Sequence, residues 1–361
     1  MSRLEPPIGA RLISSCKRRI LARLTWKKAS GFLSHVKRAL FRHCQKITYF
    51  KLAHHRYRRE LRKWQLSKWA NLDASGYKKF FAQCGGSIHV HPDVVNMLSE
   101  IRGLEPEFRG LYDGNNIVAA LPLWPEGIVG SQSTLKAAAQ SNVMDIGDAE
   151  LILPIDPRYG RRIWIPGGAE MISAIHLREI SGLVASELPQ TLARGHTTGP
   201  NPLSNRTLSR RRNEIKKFIG AGGSIRKIGE FSPESLAGMY RTTFIQQRLT
   251  PPLGNDYLEQ VFTRLRGLMA GHVLLHNDSV AAIQIIYAYE TPRALLVDYV
   301  NGATNPELRD KLNPGSILGF LNVQSMEHRA LAMKIPMRYC YGWADGTYKN
   351  TICNPAPMYF C

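Results

Sequence analysis

A helix followed almost at once by an apolar strand, in residues 313–349 (NPGSILGFLNVQSMEHRALAMKIPMRYCYGWADGTYK), is the feature that most restricts this fold. Pro314 suits a first helical position, where no amide donor is needed, and Asn313 before it is a favoured N-cap. Ile317, Leu318, Leu321, Ser325 and His328 recur at three-to-four spacing, so one mostly apolar face must pack on something. Residues 337–343 read as a strand, and Ala344-Asp345-Gly346 turns the chain before Tyr348 and Lys349. A helix start presents free amides and a partial positive charge, so Gly315 and Ser316 are candidates to hold a phosphate. A helix start followed by a strand, with no ligand, is the plain alternative.

The chain upstream contains two similar runs. In the first, residues 77–81 read as helix, Gly85-Gly86 breaks it, and His91-Pro92 starts a second helix. A hairpin follows over 108–112 and 117–124, turning at Asp113-Gly114-Asn115-Asn116. Residues 125–150 read as loop, 150–155 and 162–165 as short strands, 173–188 as helix and 196–206 as linker. In the second run, a basic helix over 208–219 leads to an extended stretch at 224–228. Ser232-Pro233-Glu234 then opens a helix reaching about Gln247, and another covers 255–268. A hairpin over 272–275 and 280–289 turns at Asn277-Asp278, and a strand covers 294–300. Glu100-Ile101-Arg102-Gly103…Asp113…Val118-Ala119-Ala120 is echoed by Leu265-Arg266-Gly267…Asp278…Val280-Ala281-Ala282, with Gly-to-Asp separations of 10 and 11 residues. Two related units are the expectation.

Charge divides the chain differently. Residues 1–70 hold 19 Lys/Arg against Glu5 and Glu60, a net of +17 out of +20, leaving the body nearly neutral. Within residues 10–69, Leu12, Cys16, Ile20 and Leu24 repeat every four residues between cations, and Trp26, Trp64 and Trp69 add amphipathic rings. This is the composition of an interfacial helix, and each Lys/Arg beside an anionic leaflet contributes roughly 1 kcal/mol. An anionic membrane surface is the expected partner of residues 10–69. Nucleic acid is the weaker rival polyanion, and a solvated tail or start-site extension the bland account. An apolar fraction of 44% is that of a globular chain. Six scattered cysteines without a CxxC pair point to reduced thiols in the cytoplasm. No secretory signal or run of ~20 apolar residues is seen, so neither export nor a spanning helix is expected. His89-Val90-His91 lacks further ligands, and no metal is expected.

The order helix, helix, strand, hairpin strand, strand, helix, strand resembles that of the GNAT acyl-CoA N-acyltransferase superfamily. Residues 211–222 (RRNEIKKFIGAG), Leu296-Val297-Asp298-Tyr299, Pro314-Gly315 and Tyr341-Gly342…Asp345…Tyr348-Lys349 resemble its FemAB-like branch. Cys84-Gly85-Gly86-Ser87-Ile88, Thr243-Phe244…Gln247-Arg248-Leu249-Thr250 and Asp298-Tyr299-Val300-Asn301-Gly302 are similar to the macrophage-induced antimicrobial-peptide-resistance family of enteric bacteria. The resemblance, which covers roughly residues 70–356, implies an α/β (α+β) fold of two GNAT-like mixed-sheet units, one half over 70–195 and a second over 208–356; the basic helical arm over 1–69 lies outside it. The resemblance further implies a cytoplasmic protein, peripheral on the inner face of the inner membrane, that protects against cationic peptides. By analogy alone, it suggests acyl or aminoacyl transfer to a small-molecule or lipid substrate.

A transferase of this type needs a phosphate-bearing donor site, a base and an oxyanion donor. Gly315 and Ser316 would meet the phosphate, with Lys349 or Arg212 as counter-charge. Asp298, in an otherwise apolar strand, would be a desolvated base, and Asp345 with Tyr348 the other acid–base pair. A strand-end cap and a polar turn are their bland readings. Residues 309–315 supply one glycine where GNAT enzymes have a Gly-rich loop. The donor therefore stays open between acyl-CoA, a lipid-linked or tRNA-linked group, and none. A nucleic-acid-binding regulator and a non-catalytic pseudo-enzyme are the rival functions.

Overall fold

The computed structural model describes residues 68–344 and 349–361, all within one compact unit. All but the last two residues of the expected arm, and the candidates Asp345 and Tyr348, lie outside the described residues.

The first half opens with strand β1 (Trp69–Leu72). Helix α1 (Ala74–Cys84) follows, capped by Asp73, whose carboxylate accepts the Gly76 N–H at 2.6 Å. Gly85 ends it at φ +74°, and a Cβ there would lie 2.6 Å from Thr291 of the second half. His91 caps helix α2 (Pro92–Arg102), with Pro92 at its start and Gly103 in the left-handed region beyond its end. Strands β2 (Glu107–Asp113) and β3 (Asn116–Trp124) form the expected hairpin, and β4 (Gly127–Ile128) completes an antiparallel sheet of order β1-β2-β3-β4.

Residues 125–189 depart from expectation. The strands expected at 150–155 and 162–165 appear as isolated bridges, Ala119 to Ile155, Leu151 to Ile172 and Ile163 to Ile180. No helix covers 173–188. Instead β5 (Ile172–Ser173), a 3-10 turn (Ala174–Arg178) and β6 (Val184–Ala185) follow one another. His176 holds this stretch irregular, since its Nε2 accepts the Leu153 N–H and its Nδ1 pairs with Glu179 at 2.6 Å. Gly182, at φ +77°, then turns the chain.

The second half is built on a seven-stranded sheet. Strand β7 (Gln190–Ala193) belongs by sequence to the first half but is hydrogen-bonded into this sheet. Helix α3 (Asn205–Gly220) is capped by Ser204, and β8 (Gly223–Lys227) follows. Ser232 caps helix α4 (Pro233–Arg248) by accepting the Ser235 N–H. The helix expected at 255–268 is narrower, since 3-10 turns flank α5 (Leu258–Arg264). Hairpin β9 (His272–His276) and β10 (Ser279–Glu290) turns through Asn277 and Asp278, both at positive φ, which suits the twist of the paired strands. Strand β11 (Leu295–Thr304), helices α6 (Pro306–Leu312) and α7 (Pro314–Met333), and strands β12 (Met337–Trp343), β13 (Cys353–Ala356) and β14 (Met358–Phe360) complete the chain. The order is β13-β7-β12-β11-β10-β9-β8, while β14 lies between β5 and β6.

The succession β8-α4-α5-β9-β10-β11-α7-β12 is that of a GNAT unit, and β1-α1-α2-β2-β3-β4 repeats its opening. The fold is mixed α/β with two GNAT-like units. One apolar core runs through both, joining Tyr77, Leu98 and Leu121 to Tyr240, Ile283 and Val300. A second cluster seats Val323, Met326 and Ala330 of α7 on Val297 and Tyr339 of the sheet. Burying a valine or methionine side chain such as Val323 or Met326 contributes roughly 1.5–3 kcal/mol.

The feature that locates the site is a fork. β11 and β12 run parallel and paired over Leu295–Asp298 and Met337–Cys340, and the pairing stops there. Opposite β10, the register of β11 shifts between Tyr299 and Asn301, leaving Val300 as an extra residue that bends the strand.

Candidate active site

A cavity of about 310 Å³ lies at the fork. One wall is β11 from Tyr299 to Thr304. The opposite side carries Tyr341 of β12 with Thr351 and Ile352. The start of α7 supplies Gly315, Ser316 and Gly319, and three arginines complete the lining: Arg194, Arg211 and Arg248. Among the described residues no carboxylate lines it.

The helix start meets the cavity because little caps it. Asn313 adopts φ +49° as the end of α6, and its side chain makes no capping hydrogen bond. The amides of the first turn of α7 are thus left without the side-chain acceptor that Asn313 was expected to provide. A Cβ on Gly315 would lie 2.8 Å from the Thr304 hydroxyl, so glycine permits the helix to approach β11.

The arginines differ in freedom. Arg194 is spent on the loop beyond β7, donating to Asn201 O at 2.8 Å, Asn201 Oδ1 at 3.1 Å and Pro202 O at 2.9 Å. Arg211 pairs with Glu214 at 2.6 Å. Arg248 is exposed and has no ion pair among the described residues.

Two uncharged polar groups face the same space. Tyr341 stacks on Tyr299 at 4.9 Å, and its buried hydroxyl has no hydrogen-bond partner among the described residues beyond the neighbouring Tyr339 hydroxyl. Burial pushes this phenol well up, so it remains a proton donor. A Cβ on Gly319 would lie 3.3 Å from that hydroxyl, which places it against the helix. His196 stacks on Phe320 at 4.1 Å, and its Nδ1 is unpartnered. Desolvation lowers its pKa to about 4 despite the nearby Glu327 carboxylate, so the imidazole is neutral at pH 7.

The residues chosen from sequence fall into three places. Gly315 and Ser316 line the cavity together. Arg212 is exposed outside the lining, where its neighbour Arg211 stands. Lys349 is buried, and its ammonium donates to Tyr341 O at 2.9 Å and Trp343 O at 2.7 Å, which ties off the end of β12.

Asp298 precedes Tyr299 and therefore points to the opposite face of the sheet. There burial, with a smaller contribution from Glu150, raises its pKa to about 7, while the Ile88 N–H holds it down somewhat. One of its oxygens has no partner. It borders the buried pair in which Arg338 grips Glu150, and Gln190 donates to Glu150 at 2.6 Å. Asp298 has the proton affinity a general base needs, yet it lines neither this cavity nor the larger one described below. His89 is buried in the turn before α2, while the His91 side chain caps α2.

Sequence reasoning did not choose His196 as a site residue, and it met Arg211, Arg248 and Tyr341 only within motifs, without giving them a role in the site. The stretch expected as a linker at 196–206 is largely exposed but anchored to the body at its start and at Leu203. The Glu327 carboxylate accepts the N–H groups of His196, Thr197 and Thr198, and Leu203 is buried. The alternation Tyr339, Tyr341 in one strand was the available signal for the phenol.

The residues present suit a phosphate-bearing donor. Free helix-start amides, an unpaired arginine and a buried phenol converge on one fork, with two glycines clearing the approach.

Three solved structures are similar to the chain at low identity. FemX is 9% identical, covering 81% of this chain and 96% of its own, with a TM-score of 0.47. A tandem GNAT protein from the clavulanic acid biosynthesis pathway is 13% identical, with coverages of 81% and 96% and a TM-score of 0.40. L-PGS from Bacillus licheniformis is 11% identical, with coverages of 80% and 91% and a TM-score of 0.42. No curated protein sequence matches the chain. The profile of the Mig-14 family, by contrast, matches residues 91–360, the whole of the two-unit body beyond α1. The chain belongs to the Mig-14 family.

Proposed function

We propose that this protein transfers an acyl or aminoacyl group from a phosphate-bearing donor to an amine. The observation that carries the reading is the forked cavity, which combines cationic walls with a buried phenol. Arg248 and the amides of Gly315 and Ser316 hold the donor's phosphate. The acceptor nitrogen attacks the acyl carbonyl, the new C–N bond forms, and the bond from that carbonyl to the donor breaks. Tyr341 donates a hydrogen bond to the tetrahedral oxyanion, and the neutral His196 accepts the proton the amine loses. That proton passes to the departing group.

The finer setting is a membrane surface and resistance to cationic peptides. The polybasic composition of residues 10–69 supports it, as does an exposed apolar stretch beside the cavity mouth. Leu249 is 86% and Leu253 53% exposed, directly after Arg248. Among the described residues no helix is long and apolar enough to cross a membrane.

Calorimetric titration with acyl-CoA, with aminoacyl-tRNA and with their free phosphate portions tests the donor site. Binding that weakens in Arg248→Glu, with product formation lost in Tyr341→Phe, is expected. Equal binding by wild type and Arg248→Glu would sink the reading. Flotation on anionic vesicles, with and without residues 1–60, tests the membrane setting.

A non-catalytic reading has one observation in its favour, since the best-tuned acid, Asp298, is shut away from the cavity. Full peptide resistance in a folded His196→Phe, Tyr341→Phe double variant would establish it.

A further inference from the structure

A second cavity, of about 590 Å³, lies toward the other end of α7. Its walls are largely apolar and come from both halves, including Ile152, Leu296, Ala330, Ile335 and Met337. The charged groups at its edge are already committed. Arg293 donates to Ile155 O at 2.7 Å and pairs with Glu179 at 2.9 Å. Arg338 is held by Glu150, and Glu327 by the amides of 196–198. Two buried donors are left over, the Tyr339 hydroxyl, whose hydrogen-bonding neighbour is the Tyr341 hydroxyl, and the Arg293 Nε.

This cavity abuts the forked one. Along α7, Gly319, Phe320 and Val323 line the first cavity, and Glu327, Ala330 and Leu331 continue the same helix face into the second. On β12, Tyr341 faces the first and Tyr339 the second, with their rings stacked at 5.1 Å. Beyond β7, His196 borders one and Gly195 the other, and after the fork Ile352 and Asn354 divide in the same way. On four separate segments the boundary is one to four residues wide.

We infer that the second cavity binds a linear acyl chain, with the chain's polar end directed at the Tyr339–Tyr341 boundary. An apolar space of this size whose rim charges are satisfied attracts a ligand by removing its hydrocarbon from water. The Tyr339 hydroxyl, at that boundary, provides for one polar group on an otherwise apolar ligand. The inference rests on the transferase reading only in making that chain part of a substrate. Binding itself requires no turnover, so the two ideas fail separately.

Calorimetric titration of the full-length protein with 1-hexanol, 1-octanol and 1-decanol tests it. These probes are uncharged, so the polybasic N-terminal region does not attract them. Affinity should rise about fourfold for each added methylene, the equivalent of about 0.8 kcal/mol per buried CH₂. Ala330→Phe fills the cavity and should abolish decanol binding. Met337→Trp, at a half-buried position where folding is less at risk, should weaken it at least tenfold. Competition then separates the sources of the chain. Displacement by octanoyl-CoA that Arg248→Glu prevents assigns the chain to the donor, whereas displacement by dioctanoylphosphatidylglycerol that Arg248→Glu leaves intact assigns it to a lipid acceptor. Absence of decanol binding, affinity independent of chain length, or equal binding in both folded variants overturns the inference.

Discussion

The carboxylate of Glu327, on α7, accepts the backbone N–H of His196 at 3.0 Å, across 131 residues of sequence. The same carboxylate accepts the N–H groups of Thr197 at 3.0 Å and Thr198 at 2.9 Å, and the Thr198 hydroxyl at 2.6 Å. Burial alone would raise its pKa; these donors instead hold it below the ordinary range. Glu327→Ala leaves three inward-facing amides without an acceptor, so a loss of about 3 kcal/mol is expected by chemical denaturation. Glu327→Gln keeps one acceptor oxygen and should lose less. The aromatic stack of His196 on Phe320 should loosen in both, visible as changed imidazole resonances.

Asp298 should make the body less stable as pH rises. Its folded pKa lies at about 7, above the ordinary 3.8, so the folded state keeps a proton that the unfolded chain releases. Stability from this group is present below the unfolded value and is lost as pH rises toward 7. Asp298→Asn retains an acceptor for the Ile88 N–H and carries no charge. Relative to wild type, it should gain roughly 2–4 kcal/mol between pH 4 and pH 8. A wild-type-to-variant difference that is flat over this range would refute the assignment.

His196 should act in the opposite direction. Its folded pKa of about 4 lies below the ordinary 6.5, so its contribution is present above pH 6.5 and is lost as pH falls toward 4. His196→Phe preserves a ring against Phe320 and should soften acid unfolding in melts recorded from pH 7 to pH 4. Because Asp298 and His196 oppose each other in this range, the single variants are more informative than the wild-type profile.

Gly315 allows α7 to approach Thr304, and a methyl group there would sit 2.8 Å from the Thr304 hydroxyl. Gly315→Ala should weaken donor binding about tenfold by shifting the helix start. Removing the obstructing hydroxyl in Gly315→Ala, Thr304→Ala should restore much of it. A double variant no better than the single would place the cause elsewhere.

Arg248 is the exposed cation at the cavity mouth, without an ion pair among the described residues. A hydrogen bond to a charged group contributes about 1.5–3 kcal/mol, so Arg248→Ala should weaken a phosphate-bearing ligand roughly 10- to 100-fold. Its melting temperature should stay close to wild type. Affinity in wild type should also fall with salt more steeply than in the variant.

The sequence determined the elements whose signals are local. Ser232-Pro233 opens α4, the Asn277-Asp278 turn sets the β9–β10 hairpin, and Pro314 starts α7, because capping, fixed φ and turn geometry act over a few neighbouring residues. The helix–hairpin echo was legible for the same reason, and with it the two-unit fold. Only the tertiary structure decided which faces meet. Pro200 and Pro202 gave residues 196–206 the composition of a linker, yet a carboxylate more than a hundred residues away binds the start of that segment into the core. Asp298 and Tyr299 are adjacent in sequence, but strand alternation turns the acid toward Glu150 and the phenol toward the fork. The fork itself exists because β11 bends at Val300 and β12 ends its pairing at Cys340, which depends on strands brought together from distant parts of the chain.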